Sequence, residues 1–470
     1  MNELIKMTAQ QAVSALKNKQ VKPEEMINAA LNRIRETDHL INALPTIAED
    51  RAMQHAALLA KQPETNQKRG YLYGLPIAVK DLKDVGGVRT TKGSRAFEHN
   101  IPERSDFMVE NLEEKGAIVL AKSNTPEFGA GATTFNDVFG RTHNPWNINM
   151  TCGGSSGGTA AALASGQVWL GTGSDLGGSL RIPASFCSVV GIRPSPGRIA
   201  AGPKDNPFGT LSVDGPMARN VEDLALALDA MAGYNSSDPL SLPAPETPYS
   251  ESVRNPIVPK RVAYSPDLGI SVVHSEVRRV AETSMVHFEE IGSEVTEASI
   301  DLSGANDVFH VLRAHQYLGS LGELVRESGD LIKPEVIWNV EQGREQTVER
   351  VAAAERARAD IFYKTASFFE EYDLLVTPTV IVPPFSVELR YITDVEGVHF
   401  EDYISWLVMC SSLSLTACPV ISIPCGFTED GLPVGVQLMA PRGREDLLIS
   451  AAALFEQSTG LGNTVPIDPR

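Results

Sequence analysis

The sequence predicts an α/β fold, in which helices and short apolar strands alternate along the chain. A strand is expected over residues 73–79 (YGLPIAV), directly before Lys80. Residues 112–122 lead from a helix that ends near Gly116 into the apolar segment AIVLA, and a further strand is expected at residues 168–170. This alternation is typical of a sheet that is covered by helices.

The N-terminal region is predicted to be helical. Thr8 with Gln11 three residues later is a capping-box pattern, and Pro23 is expected at the start of a second helix. We interpret residues 1–65 as a helical cover and residues 66–233 as the core. Residues 234–259 are rich in proline and serine and have no clear period, which predicts a long surface connection. Residues 260–470 are expected to complete the same α/β domain.

The C-terminal part continues the alternation. Strands are predicted at residues 261–265, 374–376, 420–424 and 434–438, and helices at residues 275–291 and 348–371. The longest apolar run, residues 404–424, is interrupted by serine, threonine and proline. It is too polar for a membrane span, so we interpret it as a buried helix followed by a strand.

The overall composition and charge exclude several classes of binding partner. The 470 residues carry a net charge of −18, which argues against nucleic acid and against an anionic membrane surface. The N-terminus lacks the apolar core of a signal peptide, so a cytoplasmic location is expected. The five cysteines form no CxxC pair, so neither a disulfide framework nor a metal site is predicted, and no cofactor is implied.

Two glycine-rich turns that carry serine dominate the sequence, GGSSGG at residues 153–158 and DLGGS at residues 175–179. Glycine in such numbers indicates backbone that must approach something small, which we interpret as a substrate carbonyl group. In the second turn, the N–H groups of residues 176–179 could stabilise an oxyanion formed after attack by Ser179. The alternative is a plain glycine turn with a surface serine.

The first turn admits other interpretations. It fits the G-x-S-x-G pattern of a nucleophile elbow, which needs a histidine later in the chain. None of the downstream histidines stands in a sequence context that indicates a catalytic role. These histidines are His274, His287, His310, His315 and His399. The segment GTGSDLG at residues 171–177 is a loose dinucleotide-type loop, but it lacks the G-x-G-x-x-G spacing and the later acidic residue.

Lys80 is the candidate base. A lysine at the end of an apolar strand is drawn into poorly solvated surroundings, which lowers its pKa. Neutrality near pH 7 requires the pKa to fall by about 3 units, at a cost of roughly 4 kcal/mol. The alternative is a lysine whose ammonium group reaches water beyond the strand end.

Three sequence motifs occur in a fixed order along the chain and resemble those of a known family: KDLKDVGGVRTTKGS, GGSSGGTAAALASG and GSDLGGSLRIPASFCSVVGIRPSPGRI. They resemble the amidase signature family of serine hydrolases. Residues 361–372 (IFYKTASFFEEY) and the sequence that follows are more similar to its stand-alone, bacterial-type members. The likeness covers almost the whole chain and is weakest between residues 234 and 375. It implies a single large α/β/α domain with a mixed central sheet.

The resemblance also implies roles for individual residues. Ser179 resembles the nucleophile, Ser155 the bridging serine and Lys80 the base of a Ser–Ser–Lys triad. The oxyanion loop then comprises Leu176, Gly177, Gly178 and Ser179. A cis peptide bond is expected between Gly154 and Ser155. Asp175 and Arg181 are expected to pair and brace the loop, whereas Ser156 either orients the triad or caps the following helix.

The implied function is hydrolysis of a carboxylic amide, or of an ester or carbamate, through an acyl-enzyme. Gly129 and the following small residues are expected to line the acyl pocket, which favours an apolar or aromatic amide. Further walls are expected from Tyr317, Trp338, Tyr391, Phe400, Tyr403 and Trp406. The alternatives are an amidotransferase-type subunit that releases ammonia from glutamine, and a catalytically silent binding protein. A homodimer is also considered.

Overall fold

An 11-stranded mixed β-sheet forms the centre of the structure, a computed structural model that describes residues 1–61 and 69–470. The strands of the described residues, in chain order, are β1 (Thr46–Ile47), β2 (Pro76–Lys80), β3 (Ile118–Ser123), β4 (Phe135–Asn136), β5 (Gly140–Arg141), β6 (His143–Asn144), β7 (Asn147–Thr151), β8 (Leu170–Asp175), β9 (Val190–Arg193), β10 (Val213–Ala218), β11 (Arg261–Tyr264), β12 (Glu294–Glu297), β13 (Leu374–Pro378), β14 (Asp394–Val395), β15 (Val398–His399), β16 (Val420–Phe427) and β17 (Pro433–Met439). The pairs β4-β5, β6-β7 and β14-β15 form separate two-stranded sheets, and the other strands form the central sheet.

The central sheet has the strand order β1-β3-β2-β8-β10-β9-β16-β17-β13-β11-β12. Strand β2 runs parallel to β3 and β8, and β11 runs parallel to β12 and β13. The other neighbouring pairs are antiparallel. The predicted α/β class with a mixed central sheet is therefore confirmed. Because β2 and β8 are parallel neighbours, their carboxyl ends lie at the same edge of the sheet.

Helices flank this sheet. They are α1 (Glu3–Lys6), α2 (Ala9–Lys17), α3 (Pro23–Ile41), α4 (Glu49–Leu59), α5 (Phe107–Glu114), α6 (Gly157–Ala164), α7 (Arg181–Cys187), α8 (Val221–Met231), α9 (Tyr249–Arg254), α10 (Ser275–Thr283), α11 (Val286–Glu290), α12 (Ala305–Ser328), α13 (Pro334–Arg344), α14 (Val348–Glu371), α15 (Val408–Ser414) and α16 (Glu445–Thr459).

The helical N-terminal region is confirmed. The Thr8 side chain accepts the Gln11 N–H at 3.1 Å, and the Gln11 side chain accepts the Thr8 N–H at 3.0 Å, so the capping box of α2 is complete. Pro23 is the first residue of α3. The division of the chain into a cover, a core and a C-terminal part stays a prediction, and its first boundary, between residues 65 and 66, lies outside the described residues.

Two strand predictions were displaced. The strand predicted at 73–79 begins only at Pro76, because Tyr73 and Gly74 have positive φ angles of 51° and 92°. The strand predicted at 168–170 is β8, which begins at Leu170 and continues through Asp175. The segment GTGSD is thus strand, and glycine is needed there: a Cβ on Gly171 would lie 2.5 Å from the Thr159 side chain.

Two further predictions need correction. The helix predicted at residues 275–291 is two helices, α10 and α11, which are separated at Ser284 and Met285. The connection 234–259 contains α9, and Tyr249 at the start of that helix is only 3% exposed. Its backbone N–H donates to Asp229 at 2.8 Å, which ties this part of the connection to α8.

The other predicted C-terminal elements are confirmed. Helix α14 has the predicted bounds, and the strands predicted at 261–265, 374–376, 420–424 and 434–438 correspond to β11, β13, β16 and β17. The apolar run 404–424 contains α15 and the first half of β16. Within the described residues, every helix is too short or too polar to cross a membrane.

Candidate active site

The side chain of Lys80 extends from the end of β2 into a group of serine hydroxyls. Its Nζ lies 2.7 Å from Ser155 Oγ, 3.0 Å from Ser156 Oγ and 3.1 Å from Ser174 Oγ. Lys80 is fully buried, so its ammonium group does not reach water beyond the strand end. A protonated lysine has one N–H bond for each of these hydroxyls, whereas the neutral amine has a lone pair that can accept a hydroxyl proton.

The surroundings of Lys80 favour the neutral amine. Burial is the main cause and lowers the pKa of Lys80 to about 7, with a smaller contribution in the same direction from the Lys83 charge. The carboxylates of Asp175 and Asp214 act in the opposite direction. An appreciable fraction of Lys80 is therefore neutral near pH 7 and able to accept a proton.

The first glycine turn is held tightly at the start of α6. A Cβ on Gly157 would lie 2.2 Å from Thr134 Oγ1, and one on Gly158 would lie 2.3 Å from the Asn124 backbone nitrogen. Only glycine allows this approach of backbone to neighbour. The peptide bond between Gly154 and Ser155 is cis, as the resemblance implies.

Ser156 connects the two serine turns. Its N–H donates to the Ser179 carbonyl oxygen at 3.1 Å, so the second turn lies against the residue that follows Ser155. Although Ser156 is the N-cap residue of α6, its side chain makes no capping hydrogen bond. The hydroxyl contacts Lys80 instead, which favours the orienting role over the capping role.

The second turn is organised by the Asp175 carboxylate, which accepts the N–H groups of Gly178 at 2.9 Å and Leu180 at 3.1 Å. The prediction that Gly178 supplies an oxyanion donor therefore needs correction, because its N–H is already donated to Asp175. Among the described residues, the N–H groups of Leu176, Gly177 and Ser179 make no hydrogen bond. These three groups remain available to a ligand.

Ser179 is the accessible serine of the group. It is partly exposed, whereas Ser155 is 2% exposed and Ser156 is fully buried. Residues 171–175, which entered the dinucleotide-loop interpretation, belong to β8 and form no loop. This agrees with the missing G-x-G-x-x-G spacing, which already argued against that interpretation.

Two buried arginines offset the charge of Asp175. Arg181 lies 3.1 Å and Arg193 lies 3.3 Å from Asp175 Oδ1. Although burial acts to raise it, these two cations hold the pKa of Asp175 well below its usual range. Without them the Asp175 charge would act undiminished on Lys80 and favour the protonated amine.

Sequence reasoning missed Ser174 and Arg193. Ser174 and Thr172 alternate along β8, and both contact Lys80: the Lys80 N–H donates to Thr172 Oγ1 at 3.1 Å, and Nζ lies near Ser174 Oγ. The period of two in a strand was the available signal for Ser174. Arg193 gave no local signal, because its pairing with Asp175 depends on how β9 and β8 are placed in the sheet.

Some of the predicted pocket residues lie beside the serines, and others lie around the ring of Tyr403. A Cβ on Gly129 would lie 3.3 Å from Ser155 Oγ, which places Gly129 beside the serines. A Cβ on Gly131 would lie 3.9 Å from the Tyr403 ring. The rings of Trp338 and Tyr391 lie 5.7 Å and 6.3 Å from that of Tyr403.

The other aromatic residues that were predicted to form pocket walls lie in three different surroundings. Tyr317 is joined to Tyr403 through Arg313. Trp406 is 1% exposed and packs against Phe385, so it belongs to the core. Phe400 lines a separate surface cavity of about 550 Å³.

None of the five downstream histidines contacts Ser155 or Ser156; Lys80 occupies that position. His310 is the nearest to a triad, since Asp402 and Ser405 surround it. Its Nδ1 faces the Asn306 carbonyl at 2.7 Å and its Nε2 faces Asp402 at 3.0 Å. Both ring nitrogens are thus engaged by neighbouring oxygens of its own surroundings, and neither contacts a serine of the two glycine turns. The nucleophile-elbow interpretation finds no partner.

The chain is similar to known proteins over nearly its whole length. The model of the family described as Amidase matches residues 25–449. The chain is 33% identical to an acylamidase of Rhodococcus erythropolis, over 98% of this chain and 97% of that one. It is 30% identical to one of the subunits of the glutamyl-tRNA(Gln) amidotransferase of Clostridium acetobutylicum, over 97% and 98% of the two chains. A crystal structure of a bacterial aryl acylamidase, 26% identical, superposes with a TM-score of 0.90 over 98% of this chain and 99% of that one.

Proposed function

The chain belongs to the amidase signature family, and from that premise we propose that it hydrolyses carboxylic amides through an acyl-enzyme formed on Ser179. The observation that carries the proposal is the 2.7 Å contact between Lys80 Nζ and Ser155 Oγ, in a site where Lys80 is fully buried. A buried neutral amine next to a hydroxyl is the arrangement that a proton relay needs.

The first half of the reaction forms the acyl-enzyme. Ser179 Oγ attacks the amide carbonyl carbon and gives its proton to Ser155 Oγ, while Ser155 gives its own proton to the neutral Lys80. The carbonyl oxygen becomes an oxyanion and accepts hydrogen bonds from the N–H groups of Leu176, Gly177 and Ser179, which make no other hydrogen bond among the described residues. Each such donor contributes about 3 kcal/mol to stabilisation of the transition state.

The second half returns the proton. The Lys80 ammonium passes a proton through Ser155 to the leaving nitrogen, the C–N bond breaks, and the amine departs. Water then takes the place of the amine: the relay removes its proton, and the attack on the ester carbonyl releases the acid and restores the Ser179 hydroxyl. An amide requires this protonation because a free amide anion is a very poor leaving group, whereas an ester hardly requires it.

We infer an apolar or aromatic amide as the substrate class. Support comes from the run of small residues Gly129, Ala130, Gly131 and Ala132, the first of which lies beside Ser155, and from the acylamidase and aryl acylamidase relatives. The similarity to amidotransferase subunits over nearly the full chain favours, as a second candidate, release of ammonia from glutamine.

A substrate panel tests the proposal. Purified enzyme is assayed with anilides, primary amides, carbamates, aryl esters and glutamine, and the Lys80→Ala variant is compared with Lys6→Ala, which alters an exposed lysine. We expect anilide hydrolysis, a loss of about 10³–10⁴ in kcat/KM for the anilide in Lys80→Ala, and a smaller loss for the ester. Ammonia from glutamine without anilide hydrolysis would support the second candidate. Equal losses for amide and ester would contradict the relay.

A further inference from the structure

Arg313 on α12 is a buried cation near the candidate active site. It is 5% exposed, and its Nε donates to Asn339 Oδ1 at 3.1 Å. Its Nη2 donates to the hydroxyls of Tyr317 at 3.1 Å and Tyr403 at 2.8 Å. Within residues 1–61 and 69–470, no carboxylate lies within 4.0 Å of its guanidinium group. An isolated buried charge is costly, so a group without a counter-ion calls for an explanation.

The cluster around Arg313 has more donors than acceptors. Tyr403 OH accepts from Arg313 and also from the Asn339 amide. The orientation of that amide is fixed, because its oxygen faces Arg313 Nε and its nitrogen donates to the Glu335 carbonyl at 2.6 Å. The hydroxyl proton of Tyr403 therefore finds no acceptor at Asn339. The proton of Tyr317 OH likewise has no acceptor in this cluster.

The Nη1 group of Arg313 adds further donors. It makes no hydrogen bond to any described residue, and it is not among the buried polar atoms that are both unpaired and closed off from solvent. The Nη1 atom therefore retains some solvent-accessible surface. Its N–H groups and the two hydroxyl protons lack acceptors, which suits an incoming group with several acceptor atoms, above all a carboxylate.

The acidic residues nearby are already occupied. The Glu335 carboxylate accepts from Arg390 at 2.7 Å and 2.6 Å. The Asp402 carboxylate lies 3.0 Å from His310 Nε2. Neither supplies the missing counter-ion of Arg313.

The cluster also lies beside the turn that carries Ser179. Tyr403 faces Gly131. Tyr317 belongs to a small apolar cluster with Ala130, against which Phe128 and Leu176 pack. Leu176 is the first residue of the proposed oxyanion turn. Apolar side chains thus connect that turn with the cluster around Arg313.

We propose that Arg313, with Tyr317 and Tyr403, forms a carboxylate-binding subsite, so that the preferred substrate is an amide whose acyl part ends in a carboxylate after a short apolar spacer. This proposal rests on the proposed amidase function. It narrows the substrate class from apolar amides to half-amides of dicarboxylic acids and amides of similar shape.

The test compares matched anilides. Succinic, glutaric and adipic monoanilides are paired with anilides in which an isopropyl group replaces the carboxylate, and aniline release is measured. We expect the best carboxylate substrate to exceed its neutral partner at least about 30-fold in kcat/KM. This ratio should fall about 30-fold in Arg313→Gln, equivalent to about 2 kcal/mol, and should not change in Arg326→Gln, an exposed arginine on the same helix.

A second variant and a binding measurement distinguish a failure of the proposed subsite from a failure of the proposed amidase function. If Arg313→Gln does not fold, Tyr317→Phe is used, with an expected fall of about three- to fivefold in the same ratio. Hydrolysis of neutral anilides at least as fast as carboxylate anilides would overturn the subsite and leave the amidase function intact. If no amide is hydrolysed, calorimetric titration with glutarate decides: binding that weakens in the variant supports the subsite, and absent or unchanged binding overturns it.

Discussion

The sharpest prediction concerns how the reaction depends on pH. The neutral form of Lys80 starts the proposed relay, so protonation of Lys80 must stop it. Burial lowers the pKa of this lysine to about 7. The sign follows directly: below pH 7 the ammonium form predominates and the rate falls, and above pH 7 the neutral amine predominates and the rate reaches a plateau.

The magnitude follows from the same value. An ordinary lysine, with a pKa of about 10.4, is neutral to only about 0.04% at pH 7, whereas Lys80 is neutral to about one half. If Lys80 is the base of the proposed relay, burial thus raises the population of its neutral form about a thousandfold. The corresponding free energy, about 5 kcal/mol, is spent in removing the ammonium group from water, and the rest of the fold supplies it.

The assay is kcat/KM for an anilide between pH 5 and pH 9 at constant ionic strength. We expect an acid limb with a slope of one, a midpoint near pH 7 and about 1% of the plateau activity at pH 5. An aryl ester, whose leaving group needs little protonation, serves as the comparison substrate. A flat profile over this range, or a midpoint near pH 10, would refute the assignment of Lys80 as a buried neutral base.

Two further substitutions test the hydrogen bonds of Lys80 and the buried ion pairs of Asp175. Ser174→Ala removes one hydroxyl that accepts from the protonated form of Lys80, so the acid limb should move to lower pH while plateau kcat/KM falls less than about tenfold; a limb that moves to higher pH would contradict this. Asp175→Asn leaves two buried arginines without a counter-charge and should lower the free energy of unfolding by about 3–5 kcal/mol in urea titrations. The control Asp446→Asn, in an exposed pair with Arg444, should cost less than about 1 kcal/mol, and equal losses in the two variants would argue against a buried network.

The fold was predictable where local signals and tertiary packing agree. The capping box at Thr8, the start of α3 at Pro23 and the bounds of α14 follow from residues close in sequence. Strand β8 was displaced because its glycines read as a turn, although the contacts of Gly171 and Gly173 with neighbouring side chains require glycine within a strand. Long-range packing of that kind leaves no mark in a single sequence.

The candidate site was also predictable only where the signal is local in the sequence. Lys80, Ser155 and Ser179 stand in motifs whose order and spacing could be recognised. The loss of Gly178 as an available donor depends on the orientation of one carboxylate, which the sequence does not specify. Arg313 stands in a stretch with no motif, and its significance arises only when Asn339 and Tyr403 fold against it from distant parts of the chain.

Labelling with a fluorophosphonate, followed by mass mapping of the adduct, tests the central claim most directly. We expect a single adduct on Ser179, formed fastest above pH 7 and slowed about 10³-fold in Lys80→Ala. An adduct on Ser155 or Ser156, or labelling of Ser179 at an unchanged rate without Lys80, would contradict that claim.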